Sequence, residues 1–253
     1  MNSNGKDIET KPLVVACLGS STTASKGTFK WIEELKKRPQ NKRFGFVNLG
    51  VGGDTAYNAL QRLPCVVSTH PNIVLILIGS NDVLALVFKN LKRFFNGWKS
   101  IPGELSPEGF SQNIREIISR LKKETSAKIA IISLAQIGED SKSTNPVQKE
   151  LNMRINQYNQ IIKETARTEG ISYIPFYEKL HEQITASPSR AFTKFRILSF
   201  YRDYLLREFI LRWSFDKIAE KNGYRFHIDG IHLNTRGGMI LTEVVQEFLN
   251  TVP

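Results

Sequence analysis

Short apolar runs rich in Val and Ile recur along the chain at Leu13–Leu18, Phe44–Leu49, Ile73–Ile78, Ile129–Leu134 and Ile171–Ile174. Stretches whose apolar positions repeat at helical spacing lie between them, and they predict helices over Phe29–Lys37, Ala56–Val66, Pro107–Glu124, Pro146–Glu169 and Thr235–Leu249. Brief, continuous apolar runs suit strands buried on both faces, the signature of a parallel sheet whose crossovers are helices. The alternation therefore predicts one α/β domain. Ligands of an open sheet of this kind bind beyond the carboxyl ends of its strands. Ser21, Gly53 and Asn81 all fall just after a predicted strand.

Two segments exceed what simple connections require. The first, Leu84–Ser106, interleaves Phe88, Phe94, Phe95 and Trp98 with Lys89, Lys92, Arg93 and Lys99. The second, Ser189–Phe226, sets Phe192, Phe195, Phe200, Tyr201, Tyr204, Phe209, Trp213 and Phe215 among Arg190, Lys194, Arg196, Arg202, Arg207 and Arg212. Tyr204, Leu205, Phe209, Arg212 and Trp213 fall roughly on one helical stripe. Three readings stand open for this insert: aromatics packed on the domain with solvated arginines, a lid or wall for an apolar acyl chain resting on an anionic membrane surface, or an association surface. The burial of Phe209 and Trp213 separates the first from the other two.

Length sharpens the picture, since 253 residues accommodate one sizeable α/β domain with insertions at about 84–106 and 189–226. Residues 1–11 read as a polar extension and 12–253 as the domain. Only Cys17 and Cys65 are present, too few for a disulfide framework, and Met1–Lys11 carries Asp7 and Glu9 in place of the basic and apolar regions of a signal peptide. No run approaches the roughly 20 apolar residues of a membrane span. A cytoplasmic protein is expected, with peripheral contact to an anionic membrane surface left open by the net charge of +11. A nucleic-acid role is not expected, because no zinc finger, RNP-type strand or groove-forking basic helix accompanies the charge.

The chemistry-bearing residues lie at the turns. Gly19-Ser20-Ser21 follows the first strand and Asp229-Gly230-Ile231-His232 lies near the C-terminus. A serine hydroxyl needs a base within hydrogen-bond reach and a carboxylate to fix that base's tautomer, and an Asp-x-x-His turn supplies both. Between them, Asn48–Thr55 with Gly50, Gly52 and Gly53, and Gly79-Ser80-Asn81-Asp82, offer backbone and amide donors for a developing oxyanion. His70, His181 and His227 lie outside the Asp-x-x-His spacing and read as structural or exposed. Asp54 and Asp82 read as carboxylates that order their loops by accepting backbone N–H groups. No metal-ligand spacing and no phosphate loop is present, so neither a metal nor a nucleotide cofactor is expected.

Taken in order, these four blocks resemble the SGNH hydrolases, the GDSL-type lipase and esterase family, over roughly residues 13 to 240. The resemblance implies a flavodoxin-like three-layer α/β/α sandwich around a central parallel five-stranded sheet in the order 2-1-3-4-5. It also implies that Ser21 is the nucleophile, Asp229 and His232 complete a triad, and Ser21, Gly53 and Asn81 form the oxyanion hole. Gly79–Asp82 meets the family's Gly-x-Asn-Asp in full, whereas Ser20 stands where the family has an aspartate before the nucleophile. That departure bears on the rigidity of the nucleophile loop and leaves Ser20 as a second candidate serine.

The family covers lipases, lysophospholipases, thioesterases and carbohydrate O-acetylesterases, so the insertions must indicate the substrate. Basic aromatic segments favour a small-molecule acyl ester with an apolar chain, such as a lysophospholipid, bound by Phe88, Phe209 and Trp213. A carbohydrate O-acetylesterase, a thioesterase, or a catalytically weak module that binds lipid or another surface are the alternatives.

Overall fold

The computed structural model describes residues 11–88, 90–91, 105–195 and 202–253. Its five-stranded sheet has the order β2-β1-β3-β4-β5 and is parallel throughout, from β1 (Leu13–Gly19), β2 (Phe44–Gly50), β3 (Ile73–Leu77), β4 (Lys128–Ile132) and β5 (Ser172–Ile174). Every residue of β3 is buried, as its place between β1 and β4 requires. Each such aliphatic side chain stabilises the fold by roughly 1.5–3 kcal/mol relative to exposure.

Helices cover both faces. On one side α2 (Trp31–Lys36), α8 (Phe176–Ala186) and α10 (Thr235–Asn250) pack together; on the other α3 (Ala56–Gln61), α5 (Ser80–Val87), α6 (Pro107–Glu124) and α7 (Pro146–Thr168) do so. The long helices obey their sequence signals closely. Ser106 accepts from the N–H of Gly109 at 3.0 Å ahead of Pro107, and Phe110, Ile114, Ile117, Ile118 and Leu121 form the buried stripe of α6. Asn145 caps α7 in the same way.

Several expectations need adjusting. The helix expected over Ala56–Val66 is two helices, α3 and α4 (Leu63–Val67), broken at Arg62 just ahead of Pro64, whose ring cannot continue an i to i−4 ladder. The helix expected from Phe29 starts at Trp31, because the backbone N–H of Phe29 donates to Leu233 O at 2.9 Å. Helices α1 (Ser21–Ala24), α5, α8 and α9 (Phe215–Asn222) were not expected from the apolar pattern.

The inserts divide. Of the first, Phe94, Phe95 and Trp98 lie outside the described residues, while Phe88 packs on Phe192 (5.8 Å between ring centroids) and on Phe195 (6.2 Å). In the second, Phe200 and Tyr201 lie outside the described residues and Arg202–Ile210 forms a π-helix. Phe209 on that helix is 77% exposed, and Ile210, Leu206 and Leu211 are exposed with it. Trp213 is half-buried, with Lys217 Nζ 4.5 Å and the Arg207 guanidinium 5.7 Å from its ring centre. The start of the insert thus packs on the domain, and its π-helix presents apolar side chains to solvent.

Strand register is what assembles the functional loops. Gly19 pairs with Gly50 on one side and Leu77 on the other, so β1, β2 and β3 end level with one another. The loops carrying Ser21, Gly53 and Asn81 leave from that common edge. No described helix is long and apolar enough to cross a membrane.

Candidate active site

Ser21 opens the four-residue helix α1 immediately beyond β1, with Ala24 N–H donating to Ser20 O at 2.9 Å and Ser25 N–H to Ser21 O at 3.1 Å. The indole N–H of Trp31 donates to Thr22 O at 3.1 Å and fixes this turn from α2. The two adjacent serines separate clearly. Ser20 is buried, whereas the Ser21 hydroxyl is partly exposed and lies 3.1 Å from His232 Nε2.

The Asp-x-x-His turn is held by its own carboxylate. Asp229 Oδ1 accepts from the N–H groups of Ile231 (2.9 Å) and His232 (2.8 Å), and Oδ2 lies 2.8 Å from His232 Nδ1. This local Asx-type geometry is why the spacing works: the carboxylate shapes the turn and meets the imidazole that the turn presents. Burial would raise the Asp229 pKa, but the facing His232 and the two backbone N–H groups outweigh it and hold the carboxyl at about 2. An ionised carboxylate only accepts, so Nδ1 carries the proton and the unprotonated Nε2 accepts from the Ser21 hydroxyl. For His232 burial favours the neutral ring, yet the charge and hydrogen bond of Asp229 prevail and raise its pKa above the usual value.

The loop around the turn is anchored on both sides. Leu233 O accepts from Phe29 N–H (2.9 Å) and from the Thr28 hydroxyl (3.2 Å), while Ile228 N–H donates to His232 O at 2.7 Å. Asn234 caps α10 through Gly237 N–H at 3.1 Å.

Opposite the turn, the second and third blocks are tied to each other. The Asn81 side-chain amide, at the start of α5, donates to Asp54 O at 2.8 Å, and Asp82 accepts from Ala56 N–H at 3.1 Å. Gly79, which precedes α5, has φ +132°, and a Cβ there would lie 2.8 Å from the Phe110 ring, so the turn admits only glycine. Burial pushes the Asp82 carboxyl up to about 7, against the pull of the backbone N–H groups of Ala56 and Asp82.

Arg62, which the sequence did not single out, joins these parts. Its guanidinium meets Asp54 Oδ2 (2.5 Å), Leu49 O (2.6 Å) and Gly19 O (2.8 Å). The carboxylate of Asp54, expected to order its loop by accepting backbone N–H groups, takes this guanidinium. Arg62 therefore clamps the end of β1, next to the Ser21 turn, to the loop after β2. Its position at the break between α3 and α4 lets the side chain reach back over the sheet edge.

Of the residues expected to serve the site, Ser21, Asp229 and His232 form one hydrogen-bonded relay. The Asn81 amide, on α5, is bonded to the carbonyl of Asp54, the residue after Gly53; Phe88 lies in the aromatic cluster with Phe192, and Phe209 is at the surface. His181 meets Gln136 Oε1 at 2.6 Å, and His227 is fully buried against Glu139.

Comparison with known proteins adds the following. The sequence model of the GDSL-like lipase/acylhydrolase family matches residues 17–238. No curated protein matches the chain. Among solved structures, the acetyl xylan esterase AlAXEase superposes with a TM-score of 0.63 at 20% identity, covering 94% of this chain and 100% of its own. Axe2, an acetylxylan esterase from Geobacillus stearothermophilus, does so with a TM-score of 0.64 at 14% identity, covering 94% of each chain. A member of the lipolytic protein G-D-S-L family from Veillonella parvula gives a TM-score of 0.60 at 15% identity over 95% of this chain and 100% of its own. At such identities the likeness is one of fold.

Proposed function

The chain belongs to the GDSL-like lipase/acylhydrolase family and is a carboxylic ester hydrolase, and we propose that Ser21 is its nucleophile and that it removes small acyl groups, acetyl foremost, from hydroxyl-rich substrates such as carbohydrates. The observation that carries the catalytic assignment is the 3.1 Å approach of Ser21 Oγ to His232 Nε2, with Asp229 at 2.8 Å behind the ring. As Ser21 Oγ bonds to the ester carbonyl carbon, His232 takes the hydroxyl proton and Asp229 stabilises the imidazolium. The N–H groups of Ser21 and Gly53 and the second N–H of the Asn81 amide hold the oxyanion. The imidazolium returns its proton to the departing alkoxide, the C–O bond breaks, and an acyl-enzyme on Ser21 remains. Water, deprotonated by His232, then displaces Ser21 and releases the acid.

Two observations favour a small acyl group. The aromatics expected to wall a long chain are committed elsewhere: Phe88 packs on buried Phe192 and on Phe195, the Trp213 ring is faced by Lys217 and Arg207, and Phe209 faces solvent. The superposed esterases named above include two described as acting on acetylated xylan.

A second reading, an acyl-lipid esterase resting on an anionic membrane, is favoured by exposed Leu206, Phe209, Ile210 and Leu211 beside Arg207 and Arg212. The test is a series of p-nitrophenyl esters from acetate to laurate, with release of acetate from acetylated xylan, run with and without phosphatidylserine vesicles. A maximum at acetate that vesicles leave unchanged supports the first reading. A maximum at long chains, raised by the vesicles, replaces it with the second.

A further inference from the structure

We propose that Glu139 is a positioning residue for catalysis, a buried carboxylate that fixes the loop bearing Asp229 and His232; the proposal rests on the ester-hydrolase reading above. Glu139 lies beyond β4 and is fully buried. Its Oε1 accepts from the backbone N–H groups of Phe226 and His227, each at 2.7 Å, and lies 2.9 Å from His227 Nδ1. Its Oε2 accepts from Arg225 N–H at 2.7 Å and from the Ser189 hydroxyl at 2.5 Å. Every one of these partners is on the catalytic loop or at the start of the second insert.

The backbone beside Glu139 grips the same two segments. Gly138 N–H donates to the carbonyl of Gly230, inside the Asp-x-x-His turn, at 2.7 Å, and Glu139 exchanges backbone bonds with Ser189 and Arg190 at 2.9 Å each. Gly138 has φ +72°, and a Cβ there would lie 2.8 Å from Phe192 N and closer still to Gln148, so the approach is available only to glycine. Gln148 completes the knot, donating to Ile137 O at 2.7 Å and accepting from Phe192 N–H at 2.5 Å.

A carboxylate is the group this arrangement calls for. Consecutive N–H groups at 225, 226 and 227 converge on it, as they would on a bound anion, and a carboxylate has acceptor sites for all of them. Burial works against the charge, but the hydrogen bonds from His227, Ser189 and Arg225 outweigh it and hold Glu139 at about 2. Glutamine has the same shape and would set its NH₂ against one set of donors. The neighbouring ionisable groups are His227, whose Nε2 is buried with no partner among the described residues, and Tyr224. Because His232 lies five positions beyond His227 on the loop that Glu139 grips, loosening that grip widens the Asp229–His232 and His232–Ser21 separations on which proton transfer depends.

The experiment compares wild type, Ser21→Ala, Glu139→Gln and Ser189→Ala on p-nitrophenyl acetate, after circular dichroism at the assay temperature has established folding. Glu139→Gln is expected to lower kcat by about 10–100-fold with KM within about threefold. The acid limb of kcat/KM is expected to move to lower pH, because His232 loses part of the interaction that raises its pKa. Ser189→Ala removes one donor without placing an amide in the knot, and is expected to move both readouts the same way by a smaller amount. A purely structural role would lower the melting temperature and leave kcat and the acid limb of the folded variants unchanged. That outcome overturns the proposal, and if Glu139→Gln does not fold, Ser189→Ala decides alone. Equal activity in wild type and Ser21→Ala would instead remove the nucleophile assignment beneath it.

Discussion

Replacing Arg62 by methionine keeps most of its apolar stem and removes the guanidinium that joins Gly19, Leu49 and Asp54. Losing one partner of a buried ion pair costs roughly 3–5 kcal/mol. The Arg62 side chain is 19% exposed and that of Asp54 3%, which places the loss toward the lower end because water screens the cation more than the anion. The two carbonyls lose charge-assisted bonds worth about 1.5–3 kcal/mol each in isolation. These terms are not additive, since Gly19 O keeps the N–H of Val51 at 3.0 Å. A loss of about 3–5 kcal/mol in total is expected, large against the roughly 5–15 kcal/mol of a typical domain.

Urea unfolding measures that loss, and a cycle with Asp54→Asn isolates the ion pair. The double variant should lose less than the sum of the singles, by about 1–3 kcal/mol. Turnover by folded Arg62→Met should fall by about 10–100-fold, because the Ser21 turn and the Gly53 loop lose their common clamp. Stability within about 0.5 kcal/mol of wild type, the range of an ordinary surface substitution, together with unchanged turnover would refute the reasoning.

Two further outcomes follow from the same geometry. Asn81→Ala should lower kcat by about 10²–10³-fold, read by steady-state kinetics on p-nitrophenyl acetate, since it removes the proposed oxyanion donor and the bond to Asp54 O. Asp82 has a folded-state pKa raised to about 7, so between its unfolded value near 3.8 and 7 the folded protein binds the extra proton. The stability that this group contributes is therefore complete below about pH 4 and is lost as pH rises through 7. Melting temperatures should show Asp82→Asn flattening the decline between pH 4.5 and 8, and an identical pH profile in the two proteins would show that Asp82 does not titrate there.

The strand pattern was legible because the strands are short and apolar, with β1, β3 and β4 largely buried, and Pro107–Glu124 because Ser106, Pro107 and the apolar stripe are local signals. Helix α8 carried a signal that went unread, since Phe176, Leu180 and Ile184 recur every four residues. The Asp229–His232 pair could be anticipated for a physical reason: the two residues are three positions apart and build their own turn. Arg62 and Glu139 could not. Arg62 lies eight residues from Asp54 but 43 from Gly19, and Glu139 lies 88 from His227, and nothing beside them in the sequence marks the meeting. The insert misled for a related reason. Its aromatic spacing was compatible with a packed stripe or a substrate wall, and only the fold shows Phe192 buried and Phe209 turned outward.

The central claim, that Ser21 is the activated serine, is tested most directly by intact mass after fluorophosphonate treatment of wild type, Ser20→Ala and Ser21→Ala. A single adduct on wild type and Ser20→Ala that is lost only in Ser21→Ala is the predicted result; an adduct that survives in Ser21→Ala, or none on folded wild type, would contradict it.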